Sequence, residues 1–147
     1  MKFKYWNLEL DGPDKTGKST ICKYITQLSN YRFATHDRGY MTQVAYSKKF
    51  NRDYDFVLPN KDTVFILLTV NEKEHEIRCK MHNEPHINFK EDMQLFTEVY
   101  QKLVSLGYKC LYYNTSKLTA YEIAKSIIHE IDKWERMNND WYLCTHI

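Results

Sequence analysis

Gly12, Gly17, Lys18 and Ser19 stand in the order G-x-x-x-x-G-K-S within ELDGPDKTGKST, residues 9–20. Two glycines at that spacing let a backbone curl until successive N–H groups point inward at one anion. The amides then feed a helix N-terminus, whose dipole favours negative charge. Lys18 is placed to reach the β/γ-phosphates, and the Ser19 hydroxyl to ligate Mg²⁺. The run Gly12, Pro13, Asp14, Lys15, Thr16, Gly17, Lys18, Ser19 and Thr20 therefore reads as a cradle for ATP. Asp14 and Lys15 occupy the part that arches over the terminal phosphate. A lysine there balances charge that grows on the γ-phosphoryl oxygens during transfer; as a solvated loop cation it needs no such role.

A second charged group follows in DRGYMTQVAY, residues 37–46. An Asp at a strand end beside the cradle can hold Mg²⁺ through water, and an Arg can grip a phosphate with two parallel hydrogen bonds. Tyr40 and Tyr46 either stack on a base or serve as core aromatics.

These residues need elements to hold them. Residues 3–10 (FKYWNLEL) read as a strand entering the cradle. Ile21, Ile25 and Leu28 recur at helical spacing, so a helix runs from near Lys18 to about Asn30. Residues 31–36 form a short second strand. TVFILLTV (63–70) is an unbroken apolar and β-branched run, as in a strand buried on both faces of a parallel sheet. Residues 72–82 are charged and helical; Met93, Phe96, Tyr100 and Leu103 mark another helix, stopped by Gly107. Residues 108–114 are a further strand. Thr119 and Glu122 form a capping box before a helix lined by Ile123, Ile127, Ile131 and Trp134. Four alternations of strand and helix predict an α/β fold: an open parallel sheet of about four strands with helices on both faces, of the P-loop NTPase type. One domain covers residues 1–135, and 136–147 form an aperiodic tail.

Composition narrows the class. The 147 residues are 43% hydrophobic and 27% charged, with a net charge of +2 that supplies no strong field for polyanions. Cys22, Cys79, Cys110 and Cys144 are scattered and read as free thiols of a cytoplasmic protein. No apolar run is long enough to span a membrane.

The chain resembles the thymidylate kinase family of P-loop nucleoside monophosphate kinases. That family's loop reads approximately E/D-G-x-D-x-x-G-K-S/T, matched by Asp11, Gly12, Asp14, Gly17, Lys18 and Ser19. Lys15 stands where some members carry a catalytic basic residue. The family's D-R-Y/F/H-x-x-S-x-x-A-Y is matched by Asp37, Arg38, Ala45 and Tyr46, with Thr42 in the Ser position. Gly39 departs from the aromatic third position, with Tyr40 next to it. Val70 and Arg78 keep the spacing of the family's buried strand and its lid arginine, and residues 112–116 look like the adenine-side loop.

The resemblance implies a Mg²⁺-dependent kinase in which Lys15, Lys18, Asp37 and Arg78 are catalytic. Ser19 and Asp37 position Mg²⁺. Asp14, Arg38, Tyr40, Thr42 and Tyr46 hold the acceptor, a (deoxy)nucleoside monophosphate such as dTMP. The family is typically homodimeric. The acceptor half is short here: the chain passes from Leu28 to Asp37 almost directly and has only residues 51–62 before the lid strand. A reduced pocket also suits a polynucleotide end or a modified base in DNA, although the small net charge argues against extended nucleic-acid contact. A reading of another class is a regulator that holds a nucleotide without an acceptor.

The lid segment also carries His75, Cys79, His82 and His86. Their types and spacing could hold Zn²⁺, but no second Cys pair closes a structural site, so they read as surface histidines.

Overall fold

The computed structural model describes residues 6–52 and 55–146, without the side chains of 138–146. The first three residues of the strand expected over 3–10 lie outside the described residues, as does the Cys144 thiol. Four parallel strands, β1 (Asn7–Asp11), β2 (Ala34–His36), β3 (Thr63–Thr69) and β4 (Lys109–Asn114), pair in the order β2-β1-β3-β4. Among the described residues five helices connect and flank them: α1 (Lys18–Leu28), α2 (Tyr40–Lys49), α3 (Glu72–Met81), α4 (Phe89–Ser105) and α5 (Ala120–His146). This is the α/β sheet that the alternation predicts.

Every residue of β3 is buried, and its side chains alternate between two cores. Val64, Ile66 and Leu68 pack with Leu8 and Leu10 of β1 against Ile21 and Ile25 of α1 and Ile123, Ile127 and Ile131 of α5. Phe65 and Leu67 point the other way, to Met41 and Ala45 of α2 and Phe96, Val99 and Leu103 of α4. Each such fully buried aliphatic or Phe side chain contributes about 1.5–3 kcal/mol. Because all the pairings are parallel, the carboxyl ends of β1, β2, β3 and β4 lie at one common edge.

The helix ends follow their residues. After α1, Asn30 and Tyr31 take positive φ values of 55° and 62° and turn the chain back, so β2 begins only at Ala34, not at Tyr31. At α5 the Thr119 amide donates to Glu122 Oε1 (3.2 Å) and the Glu122 amide to Thr119 Oγ1 (3.1 Å), completing the capping box. Arg32 pairs with Asp132 and Glu135 of this helix, and α5 continues to His146, through the segment that shows no period in sequence. Helix α2 has no counterpart in the sequence reading, and α4 begins at Phe89, one turn before Met93. Among the described residues no helix is long and apolar enough to cross a membrane.

Candidate nucleotide-phosphate site

The cradle leaves β1 at Asp11. Gly12 has φ 147°, and a Cβ there would run into the Leu68 carbonyl of β3; only glycine lets the loop start against the neighbouring strand. Gly17, at φ 85°, forms the left-handed N-cap of α1. Lys15 holds φ 67°, an uncommon conformation for a residue with a side chain, and this turn forms the top of the arch. Lys18 is buried, and its Nζ donates to the Gly12 and Pro13 carbonyls at 3.0 and 2.8 Å. Burial pulls its ammonium below the ordinary lysine range, so the amine is held where any anion in the loop supplies missing stabilisation.

Two clefts flank the arch. The first, about 560 Å³, is bordered by Lys15, Gly17, Thr20, Arg78, Thr115 and Leu118, a size within the range of small-molecule pockets. Arg78 of α3 is fixed at its mouth. Nη1 donates to the Lys15 carbonyl (2.7 Å) and Thr115 Oγ1 (3.1 Å), and Nη2 to Glu74 Oε1 (2.6 Å). Helix α3 and the β4–α5 loop are thereby joined to the arch by one guanidinium.

The second cleft, about 240 Å³, lies on the other side, among Pro13, Asp14, Tyr46, Lys49, His75 and Asp92. Arg38 meets its wall from outside, with Nη2 3.2 Å from Asp14 Oδ1. Burial first, and Asp14 next, push the Tyr46 phenol above its usual range. Thr42 and Tyr46 also line an adjoining recess of about 290 Å³ with Arg52 and Phe56. Asp37 shares a further recess, about 310 Å³, with Ser19 and Arg38. Tyr40 is placed elsewhere: its ring packs against Phe65 and Phe56 and lines a separate small cavity with Val44 and Leu103. Of the two tyrosines, only Tyr46 stands at the clefts. Lys15 Nζ is paired with Glu84 Oε1 at 2.8 Å, which holds its ammonium above the ordinary range.

Two carboxylates absent from the sequence-derived site organise this region. Asp11 is fully buried; its Oδ1 accepts from the Gly39 amide (2.7 Å), the Thr42 amide (3.1 Å) and Thr42 Oγ1. Its Oδ2 is buried with no partner among the described residues. Glu9 Oε1 accepts from the Tyr40 amide at 2.7 Å. The pair satisfies the free amides at the start of α2, where negative charge also meets the helix dipole. Burial nonetheless pushes both carboxyls above the usual carboxylate range. A Cβ on Gly39 would strike the Glu9 carboxylate, which explains glycine at this position. The signal in sequence is the alternation Asn7-Leu8-Glu9-Leu10-Asp11, in which one face is apolar and the other acidic.

The histidine reading needs correction. His75 and Cys79 are buried, at 7% and 3% exposure, because α3 turns that face onto the arch. His75 Nε2 donates to the Asp14 carbonyl (2.9 Å). His82 lies apart, in the first cleft.

A glycine loop joining the end of a central parallel strand to a helix defines a P-loop NTPase-like α/β fold. In structure the chain is similar to the YorR protein of Bacillus subtilis, solved in complex with phosphorylated GDP. The TM-score is 0.66 at 18% identity, over 88% of this chain and 98% of that one. The sequence matches no family model and no curated protein.

Proposed function

We propose that the chain is an ATP- and Mg²⁺-dependent phosphotransferase acting on a (deoxy)nucleoside monophosphate. The observation that carries this reading is the arch of Asp14 and Lys15, which forms a shared wall between two clefts. Lys15 borders the larger cleft and Asp14 the smaller, so a phosphoryl group at the arch has room for a donor on one side and an acceptor on the other. The phosphorylated GDP bound by YorR supports a nucleotide ligand here.

The oxygen donors fit Mg²⁺: Ser19 and Asp37 border one recess, and hydroxyl and carboxylate oxygens suit a hard cation. When bound, Mg²⁺ would supply positive charge that offsets the charge of the phosphate oxygens, with Ser19 and Asp37 as the residues that would hold it. Lys18 and the loop amides hold the β/γ-phosphates of ATP. Lys15 and Arg78 offset the charge developing on the γ-phosphoryl oxygens, and Arg38 grips the acceptor phosphate with Thr42 and Tyr46 lining its pocket. A monophosphate acceptor is already ionised near neutral pH, so positioning and electrostatics suffice. In this reading residues 1–135 act as one cytoplasmic kinase domain.

The test offers γ-labelled ATP or GTP with deoxynucleoside monophosphates, nucleosides and short oligonucleotides. Label on a monophosphate is expected. Label only on oligonucleotides moves the acceptor to nucleic acid, and tight nucleotide binding without transfer leaves a regulator.

A further inference from the structure

The three-residue cluster beside the smaller cleft has no part in the mechanism above. His75, Cys79 and His86 bring their ligating atoms within 4.8 Å of one another. His75 Nδ1 is 2.9 Å from His86 Nδ1 and 3.7 Å from Cys79 Sγ. Two ligands on a tetrahedral zinc, with bonds of about 2.0–2.1 Å to nitrogen and 2.3 Å to sulfur, stand about 3.4 Å (N to N) and 3.6 Å (N to S) apart. The cluster lies within about half an ångström of both distances. We infer that His75 Nδ1, Cys79 Sγ and His86 Nδ1 form a binding site for a borderline-soft divalent cation of the Zn²⁺ class.

The arrangement of the opposite ring nitrogens supports this independently. A metal-bound histidine usually donates its other N–H to a carbonyl or carboxylate, which fixes the tautomer. His75 Nε2 donates to the Asp14 carbonyl at 2.9 Å, and His86 Nε2 faces Glu72 Oε1 at 3.8 Å. A carbonyl can only accept, so His75 carries its proton on Nε2 and turns a lone pair on Nδ1 into the cluster. His86 Nδ1 either donates its proton to that lone pair or, in the tautomer with Nε2–H toward Glu72, turns a second lone pair to the same point. Two converging lone pairs beside a thiol repel one another or share a proton, whereas a cation satisfies all three. On binding, Cys79 releases its thiol proton to solvent as the sulfur–metal bond forms.

The position of the site gives it a role. His75 and Cys79 lie on α3, while His86 follows Pro85 on the connection to α4. A cation bridging them fastens that connection to the lid helix, and through His75 to the backbone of Asp14. His75 and Cys79 also border the smaller cleft, together with Glu84, so a fourth coordination position open to solvent faces the acceptor side. The site is a clasp between the lid segment and the phosphate loop.

Metal content of untagged protein, purified without added metal or chelator, is the direct test. About one zinc per chain is expected, retained in a control His129→Ala and lost in Cys79→Ser and His86→Ala. Cobalt substitution of the unaltered protein should give tetrahedral visible bands and a sulfur-to-cobalt charge-transfer band that Cys79→Ser removes. This keeps the test valid if a variant misfolds. Glu72→Ala should weaken zinc affinity by about 10–100-fold. Absence of stoichiometric metal, together with no saturable zinc or cobalt binding by the unaltered protein at micromolar concentration, overturns the inference. So does cobalt absorption that is unchanged in Cys79→Ser.

Discussion

The Arg38 guanidinium lies 3.2 Å from the Asp14 carboxylate, so a residue two positions before α2 touches the arch of the phosphate loop. Both side chains are more than half exposed, at 63% and 58%, and an exposed pair of this kind contributes little to stability. Under the proposed function its value is in placement, since it would hold a planar, two-pronged donor beside the phosphate to be transferred. Arg38→Ala is therefore expected to leave thermal stability nearly unchanged and to raise acceptor KM more than donor KM. Arg38→Lys should recover only part of the loss, because an ammonium cannot reproduce the fork. Steady-state kinetics with each substrate varied in turn decide this; unchanged acceptor KM and kcat remove Arg38 from the site.

Lys18→Ala should lower kcat by at least about 10²–10³ while the far-ultraviolet circular dichroism spectrum stays native. The amine rests on the Gly12 and Pro13 carbonyls, and the sheet does not depend on those contacts. A variant that retains transfer would assign the phosphate charge to another residue.

Burial places the Glu9 and Asp11 carboxyls above the usual carboxylate range, so the folded protein favours their neutral forms. The stability they contribute is full below the unfolded-chain values of about 4, and it is lost as pH rises through the raised folded values. Asp11→Asn keeps an oxygen for the Gly39 and Thr42 amides but removes the titration. Relative to the unaltered protein, its melting temperature should rise as pH is raised from about 4 to neutrality. A difference that stays constant or shrinks over that range contradicts the assignment.

Gly39→Ala should displace the Glu9 carboxylate from the Tyr40 amide and destabilise the start of α2. The same substitution in a Glu9→Ala background should cost less, because the collision is already gone. Denaturant unfolding of the four proteins should give a coupling energy of about 0.5–3 kcal/mol. Additive effects would show that the two residues do not compete for one space.

The phosphate loop was legible because the chemistry that wraps a backbone around an anion dictates contiguous residues, Gly12 to Ser19. The central strand was legible in the unbroken apolar run of 63–70, and the last helix in Thr119 and Glu122. Helix α2 was hidden because it buries Thr42 and Ser47 along with Met41 and Ala45, which blurs the apolar stripe that marks a helix. It is held at its start by Glu9 and Asp11, about thirty residues away in sequence. His75, Cys79, His82 and His86 were visible as candidate zinc ligands, but that three of them converge was hidden for a related reason. The turn at Asn83 and Asn88, with φ of 53° and 59°, folds His86 back onto α3, and helical spacing carries no information about such a return. Tyr40 and Tyr46 differ by six positions on one helix, and only packing decides which of them faces the clefts.

The alternation along β3 has a wider consequence. Val64, Ile66 and Leu68 belong to one core and Phe65 and Leu67 to the other, so no β3 side chain is shared between the two layers. The apolar interior is thus laminated, two cores on one sheet, and it is the polar contacts at the carboxyl edge, Asp11 with Thr42 and Arg38 with Asp14, that tie one half to the other.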